Sequence, residues 1–149
     1  MTEAELLAEI EAYVHALSSD DLDAHLVMMT HQMEASQDGS FVPVVPRESH
    51  DTVYRAFLAE IHVLPGSVVT PAVRYYNQVT AISNFAADMS EERFEKISGH
   101  RMAAMYRHFI IMKKIAREMG EDARRALREA LGLSYAPFST PASDRSGLE

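Results

Sequence analysis

Apolar residues recur at the spacing of an α-helix over most of the chain. The first stripe consists of Leu6, Leu7, Ile10, Val14 and Leu17. It begins just after Thr2 and Glu5, which have the spacing of a capping box, in which each side chain binds a backbone N–H at the start of a helix. The pattern predicts a first helix over residues 3–17.

A second helical stripe follows after a short interruption. Ser18, Ser19 and Asp20 end the first helix and supply a new cap. The second stripe, which extends to about residue 36, consists of Leu22, Leu26, Met29 and Met33. Because two helices joined by a short turn often fold back on each other, we predict an N-terminal helical hairpin.

The segment after this hairpin is predicted to be extended. Residues 37–40 read Gln-Asp-Gly-Ser, which is a turn, and residues 41–47 contain two prolines three positions apart. Proline removes a backbone donor and disfavours helix at the residue before it. We therefore predict a crossover that lies across the surface of the helices.

Three more helices are predicted in the middle of the chain. One is capped by Ser49 and ends at residues 65–66, a Pro-Gly pair. Another begins at residues 70–71, a Thr-Pro pair, because proline is favoured in the first turn, and continues to about Met89. A short helix covers residues 91–97.

The longest apolar pattern is a heptad repeat. One position of the repeat holds Met102, Phe109, Ala116, Ala123 and Ala130, and the other holds Met105, Met112, Met119 and Ala126. This pattern predicts a helix from about His100 to Leu131, with Gly132 as its C-terminal stop. Gly120 is an interior position at which the helix could bend or split.

Together these elements predict a single domain. We expect an all-α bundle of about five helices over residues 1–132, with a long C-terminal helix and one extended, proline-containing crossover. Residues 133–149 are rich in serine and proline, and we expect a disordered tail there. Apolar residues make up 47 % of the 149, which is ordinary for a globular domain.

Several classes of protein are disfavoured by what the sequence lacks. Without cysteine there is no disulfide, thiolate metal site or cysteine nucleophile. The N-terminus does not resemble a signal peptide and no apolar stretch is long enough to span a bilayer, so we expect a cytoplasmic protein. The seven histidines do not form Glu-x-x-His or His-x-x-x-His motifs, so we expect no metal and no cofactor.

Charge is distributed unevenly along the chain. The total is −8, but residues 1–46 contain nine acids and no Lys or Arg, whereas residues 100–132 contain eight bases and four acids. The negative total argues against nucleic-acid binding, and the asymmetry predicts that the two regions attract each other or other molecules. The candidate interaction surface consists of Glu5, Glu9, Asp20, Asp21, Asp23, Lys113, Arg117, Arg124 and Arg128.

A polar row on the predicted fourth helix is the candidate ligand site. Asn77 and Asn84 lie seven residues apart, Arg74 precedes Asn77 by one turn, and His108 borders the apolar stripe of the last helix. The row could line a small-ligand pocket, form a hydrogen-bonded seam between helices, or be a solvated face. Neither a Gly-x-Ser-x-Gly motif nor a Gly-rich phosphate loop accompanies it, which favours a protein that is not an enzyme.

The second half of the heptad repeat is rich in alanine, which supplies little apolar surface. This weak burial predicts that the helix packs against a second chain, and we expect a homodimer. The candidate seam consists of Met105, Met112, Ala116, Met119 and Ala123.

The leading functional hypothesis is a non-enzymatic protein-interaction factor, such as a bacterial accessory, regulatory or phage-type protein. It would bind another protein, in one version a basic protein, through the acidic hairpin or the long Met/Ala helix. The first alternative is a ligand-binding or enzymatic bundle with a polar pocket between helices. The second is a nucleic-acid-associated factor that uses the basic last helix.

Overall fold

The computed structural model describes residues 2–35, 49–90 and 98–141, and these residues form helices and connecting segments without any strand. The helices are α1 (Glu3–Ser19), α2 (Leu22–Ala35), α3 (Thr52–Phe57), a 3-10 helix (Leu58–Val63), α4 (Gly66–Met89) and α5 (Gly99–Ala130). The predicted all-α bundle with a long C-terminal helix is confirmed. The predicted crossover at residues 41–47 and the short helix at 91–97 lie outside the described residues.

The N-terminus of α1 and the C-terminus of α5 are formed by the capping residues that the sequence predicts. Thr2 Oγ1 accepts from the Glu5 N–H at 3.2 Å, and Glu5 Oε2 accepts from the Thr2 N–H at 2.7 Å, which completes the capping box. Gly132 follows α5 with a φ of 68°, a left-handed conformation that glycine adopts without strain. The helix α5 continues through Gly120, so it is not split there.

The start of α4 differs from the prediction. The helix begins at Gly66, so the Thr-Pro pair lies inside its first two turns and Pro71 does not mark the start. The N–H groups of Val68 and Val69 bond to the Pro65 carbonyl at 2.9 and 3.0 Å. Val68 is 1 % exposed, so the additional turn places an apolar side chain in the core.

The third helix is capped by a residue from another helix. Ser49, its predicted cap, instead donates to the Asp51 carboxylate at 3.2 Å. Glu9 of α1 accepts from the N–H groups of Val53 and Tyr54, at 2.6 and 3.1 Å, and so caps α3 from outside. It also accepts from the Tyr76 hydroxyl at 2.7 Å, which links α1, α3 and α4. One carboxylate therefore fixes three elements in position.

The first two helices lie one after the other along α5 and do not form the predicted hairpin. Going backwards along α5, the pairs in contact are Glu11 with Arg128, Val14 with Gly120, Asp23 with Lys114, His25 with Tyr106, and Glu34 with His100. Both helices therefore run antiparallel to α5, and they do not pack side by side. The hairpin prediction is wrong because α5 is long enough to cover the apolar faces of both helices.

On another side, α4 also packs antiparallel to α5. Tyr75 lies next to Gly120, and the Gln78 side chain donates to the Met112 carbonyl at 3.0 Å. Farther along, the Phe85 ring lies edge-on to His108 with centroids 5.2 Å apart. The last helix is thus the centre of the bundle.

This central position explains why α5 is buried on more than its heptad stripe. Met102, Phe109, Ala116 and Ala123 are buried as the repeat predicts. So are residues outside it, namely Ala103, Tyr106, Ile110, Lys114, Arg117, Gly120, Arg124 and Leu127. A helix with neighbours on several sides buries a wider arc than one apolar stripe.

Candidate functional site

A pocket of about 330 Å³ lies between α1, α3, α4 and α5. The contribution of α4 is a polar group, Thr80, Ser83 and Asn84, and an apolar group, Val79, Ile82 and Ala86. The remaining wall consists of Tyr13, Ser49, His50, Asp51, Arg55, Phe109 and Lys113. Its volume falls at the lower end of the range of about 300–1,000 Å³ that is typical of small-molecule sites.

Aromatic and cationic side chains define the chemistry of this pocket. The Tyr13 and His50 rings are stacked with centroids 3.7 Å apart. Lys113 Nζ lies 4.8 Å from the centre of the Phe109 ring, a cation–π contact. Arg55 Nε pairs with Asp51 at 2.9 Å, and 70 % of the Arg55 side chain is exposed. The wall thus carries two cationic side chains, and one of them, Arg55, is paired with its one carboxylate, Asp51.

Of the four residues predicted to form a ligand site, the structure brings Asn84 into the pocket. Asn77, Arg74 and His108 are exposed and lie outside its wall. Asn77 is on roughly the same side of α4 as Asn84, but seven residues of helix separate them by about 10 Å. The wall thus includes only the C-terminal part of the predicted polar row, and ligand binding there stays a prediction. The rest of the wall comes from segments far apart in the sequence, and no spacing in the chain relates them.

Much of the predicted interaction surface is used inside the chain. Arg128 donates to both oxygens of Glu11, at 2.8 and 3.0 Å, and Arg124 Nε donates to Glu11 at 3.0 Å. Burial raises the pKa of Glu11, but the hydrogen bonds and positive charges of Arg128 and Arg124 outweigh this and hold it below its usual value. The acidic region and the basic helix thus attract each other within one molecule.

Several other charged residues of the predicted interaction surface also have partners or are buried within the chain. Asp23 pairs with Lys114, which is 3 % exposed, and Arg117 is 4 % exposed. Asp21 accepts from the Ala24 N–H at 3.0 Å at the start of α2, while Asp20 is exposed. Lys114, Arg117 and Arg124 are thus withdrawn from solvent, whereas Arg101, Arg107 and Arg125 of α5 are exposed. Nucleic-acid binding through this helix stays a prediction.

The candidate dimer seam is divided between core and surface. Ala116 and Ala123 are fully buried within the chain, and the methionines at 105, 112 and 119 are partly buried against the same core. The alanines therefore allow other helices of the same chain to approach α5, which accounts for the weak burial that suggested a second chain. Homodimerisation remains a prediction.

Four histidines of the described segments, His15, His25, His50 and His108, contact aromatic rings. His25 Nε2 lies 2.5 Å from the Tyr106 hydroxyl, and His15 contacts the Phe138 ring. No group of three His, Asp or Glu side chains there is arranged to hold a metal ion. Burial raises the pKa of Tyr75, with smaller contributions from Tyr13 and Glu9. Burial and the hydrogen bond to Glu9 raise the pKa of Tyr76, so both hydroxyls remain protonated.

Comparisons with other proteins add no relative. No protein family matches the chain, and no significant match was found among curated proteins or solved structures. In the segments that the structure describes, every helix is too short or too polar to cross a membrane.

Proposed function

We propose that this protein binds a small organic anion in the pocket between α1, α3, α4 and α5. The observation that carries the proposal is the composition of its wall, where Arg55 and Lys113 accompany a stacked Tyr13–His50 pair. Cationic side chains attract a negative group, and aromatic walls accommodate an apolar body.

The α4 side of the pocket favours a ligand with two kinds of surface. Val79, Ile82 and Ala86 offer apolar contact, while the hydroxyls of Thr80 and Ser83 offer hydrogen bonds in either direction. The volume of about 330 Å³ favours a metabolite-sized molecule over a dinucleotide. A carboxylate attached to a ring or short chain has this combination of charge, size and apolar surface.

Titration with benzoate, followed by amide chemical shifts in NMR spectra, tests the proposal. We expect benzoate at millimolar concentration to shift resonances of residues around the pocket, and the uncharged isostere benzamide to do so at least several-fold more weakly. The Asn84→Leu variant fills the polar side of the pocket and should lose the response. Asn77→Leu, the same change on the same helix outside the wall, should retain it.

Two results would contradict this proposal. One is an equal response to benzoate and benzamide, which would remove the role of the cations. The other is an unchanged response in Asn84→Leu, which would place the binding elsewhere. Circular dichroism of both variants establishes that the helices are intact.

A protein-binding role is the second candidate, and the exposed apolar side chains of α2 favour it. Val27 is 70 % exposed and Met28 is 49 % exposed on a helix whose buried residues are Leu22 and Met33. Contiguous exposed apolar surface can mark an interaction site, and methionine adapts to varied partners. Acidic residues that precede α2, such as Asp20, would favour a basic partner.

Affinity capture with a matched variant tests this second candidate. We expect a partner that is retained at low salt by the natural chain to be lost from a Val27→Ser/Met28→Ser variant. A Leu58→Ser/Val63→Ser variant, which changes two exposed apolar residues of the 3-10 helix, is the control and should retain it. Equal capture by all three chains would exclude α2 as the binding surface.

A further inference from the structure

Residues 133–141 form a segment without helix or strand that lies against α1 and α5, and we call this the C-terminal segment. The sequence predicts a disordered tail from residue 133 onwards. In the described part, Arg124 donates to the Ala136 carbonyl at 2.6 Å and Arg128 donates to the Ser134 carbonyl at 3.0 Å. The Phe138 N–H donates to Glu121 at 3.0 Å. Side chains of α5 thus bind the backbone of the segment at three points.

Two aromatic side chains anchor the same segment. The Arg124 guanidinium lies 3.8 Å from the centre of the Phe138 ring, and this ring also meets the edge of His15 at 5.2 Å. The Tyr135 hydroxyl donates to Glu121 at 2.6 Å, and its ring receives Arg125 at 5.0 Å. Tyr135 and Phe138 are three residues apart, so the groove accommodates a peptide with the spacing Tyr-x-x-Phe.

The groove that receives these anchors is built from side chains that hold one another. Arg124, which is 5 % exposed, bonds to Glu11 at 3.0 Å and to Glu121 at 3.1 Å. The bond to Glu11 joins α1 to α5, the bond to Glu121 lies within α5, and neither involves the C-terminal segment. The groove is therefore supported by α1 and α5 themselves, and a ligand that enters it meets donors and acceptors already in place.

We infer that the groove between α1 and α5 is a recognition site for an extended peptide with the spacing Tyr-x-x-Phe. The C-terminal segment is its resident ligand, and a matching segment of a partner protein competes for the groove. The groove would bind two backbone carbonyls, one backbone N–H and two aromatic side chains of the peptide. Main-chain hydrogen bonds combined with side-chain anchors are a common mode of peptide recognition. This recognition site does not depend on the pocket proposed above, because the two sites share no residue.

The resident segment reduces binding by any external peptide. A ligand joined to its site by a short linker has an effective concentration in the millimolar range, so a separate peptide must exceed this to compete. Here the linker is the turn at Gly132, directly after α5. Weakening the resident anchors should therefore expose a site that is present but occupied in the natural chain.

Fluorescence anisotropy with a labelled peptide of residues 133–141 tests the inference. The full chain is compared with a Tyr135→Ser/Phe138→Ser variant, which lacks the resident anchors and retains the groove. We expect the variant to bind the peptide at least ten-fold more tightly than the natural chain. A scrambled peptide is the control, and adding Glu121→Gln to the variant should reduce binding again, since Glu121 receives both Tyr135 and the Phe138 N–H.

Failure of the variant to bind the peptide would overturn the inference, as would equal binding of the scrambled peptide. A thermal melt guards against misfolding. If the double variant does not unfold cooperatively, Tyr135→Phe replaces it, because it removes the hydroxyl that bonds to Glu121 and keeps the ring. Tyr135→Phe should still bind the peptide several-fold more tightly than the natural chain. Unchanged binding would contradict the proposed recognition site.

Discussion

Replacing Glu11 with glutamine will lower the free energy of unfolding by about 3 kcal/mol at pH 7. Glu11 is the shared acceptor of Arg124 and Arg128, and its side chain is 20 % exposed. Removing one member of a poorly exposed ion pair leaves the other charge without compensation, which costs more than the pair itself contributes. Arg124 retains Glu121, so the expected loss lies at the lower end of the range for such pairs.

The same contact gives a pH dependence with a defined sign. Because the pKa of Glu11 in the folded chain lies below its ordinary value of 4.5, the unfolded state binds the proton more readily. The stabilisation by Glu11 is therefore complete above about pH 4.5 and is lost as the pH falls through the folded-state pKa. The difference in stability between the natural chain and Glu11→Gln should shrink over that interval.

Urea unfolding followed by circular dichroism, at neutral pH and at several acidic pH values, measures both effects. Glu118→Gln is the matched control, because Glu118 is an exposed residue of α5, and it should change stability by less than about 0.5 kcal/mol. A Glu11→Gln variant as stable as this control would mean that the ion pairs between α1 and α5 contribute little.

Replacing Gly120 with alanine is expected to destabilise the protein by about 2 kcal/mol, although alanine is the better helix former. A Cβ atom at this position would lie 2.2 Å from Val14 Cγ2 and 3.1 Å from Tyr75 Cε2. Both side chains are fully buried, and valine has few alternative rotamers, so neither can move aside easily. The helices would have to separate where α1 and α4 approach α5 together.

Gly66→Ala provides the opposite case. Gly66 is the first residue of α4, and a Cβ atom there meets nothing within 4 Å. This substitution should be neutral or should stabilise the chain by up to about 1 kcal/mol, because it restricts the unfolded state. Thermal unfolding of both variants measures these changes in stability. An increase in stability for Gly120→Ala would show that the close approach at this position is not required.

The sequence predicted those elements whose signals are local. The capping box at Thr2, the glycine stop at Gly132 and the heptad repeat of α5 depend on residues within a few turns of one another. Such signals act before any tertiary contact forms, so they can be recognised in the chain alone. The start of α4 was missed because burial of Val68 outweighs the preference of proline for the first turn.

The candidate sites were only partly predictable. Asn84 belonged to a polar row that the sequence displays, whereas His50 and Arg55 enter the pocket from a segment with no visible relation to it. The contacts of Tyr135 and Phe138 were not anticipated, because a Ser- and Pro-rich composition is typical of disorder. Here the order comes from Arg124 and Glu121, which lie on a helix that the composition of the segment does not reveal.

By itself, the sequence determined which segments become helices and that the acidic and basic regions attract each other or other molecules. Only the tertiary structure decided where those helices lie. A turn after α1 is compatible with either a hairpin or a continuation in line, and local propensity does not distinguish them. The long apolar surface of α5 decides in favour of the line, because it buries α1 and α2 in succession and pairs Glu11 and Asp23 with its cations.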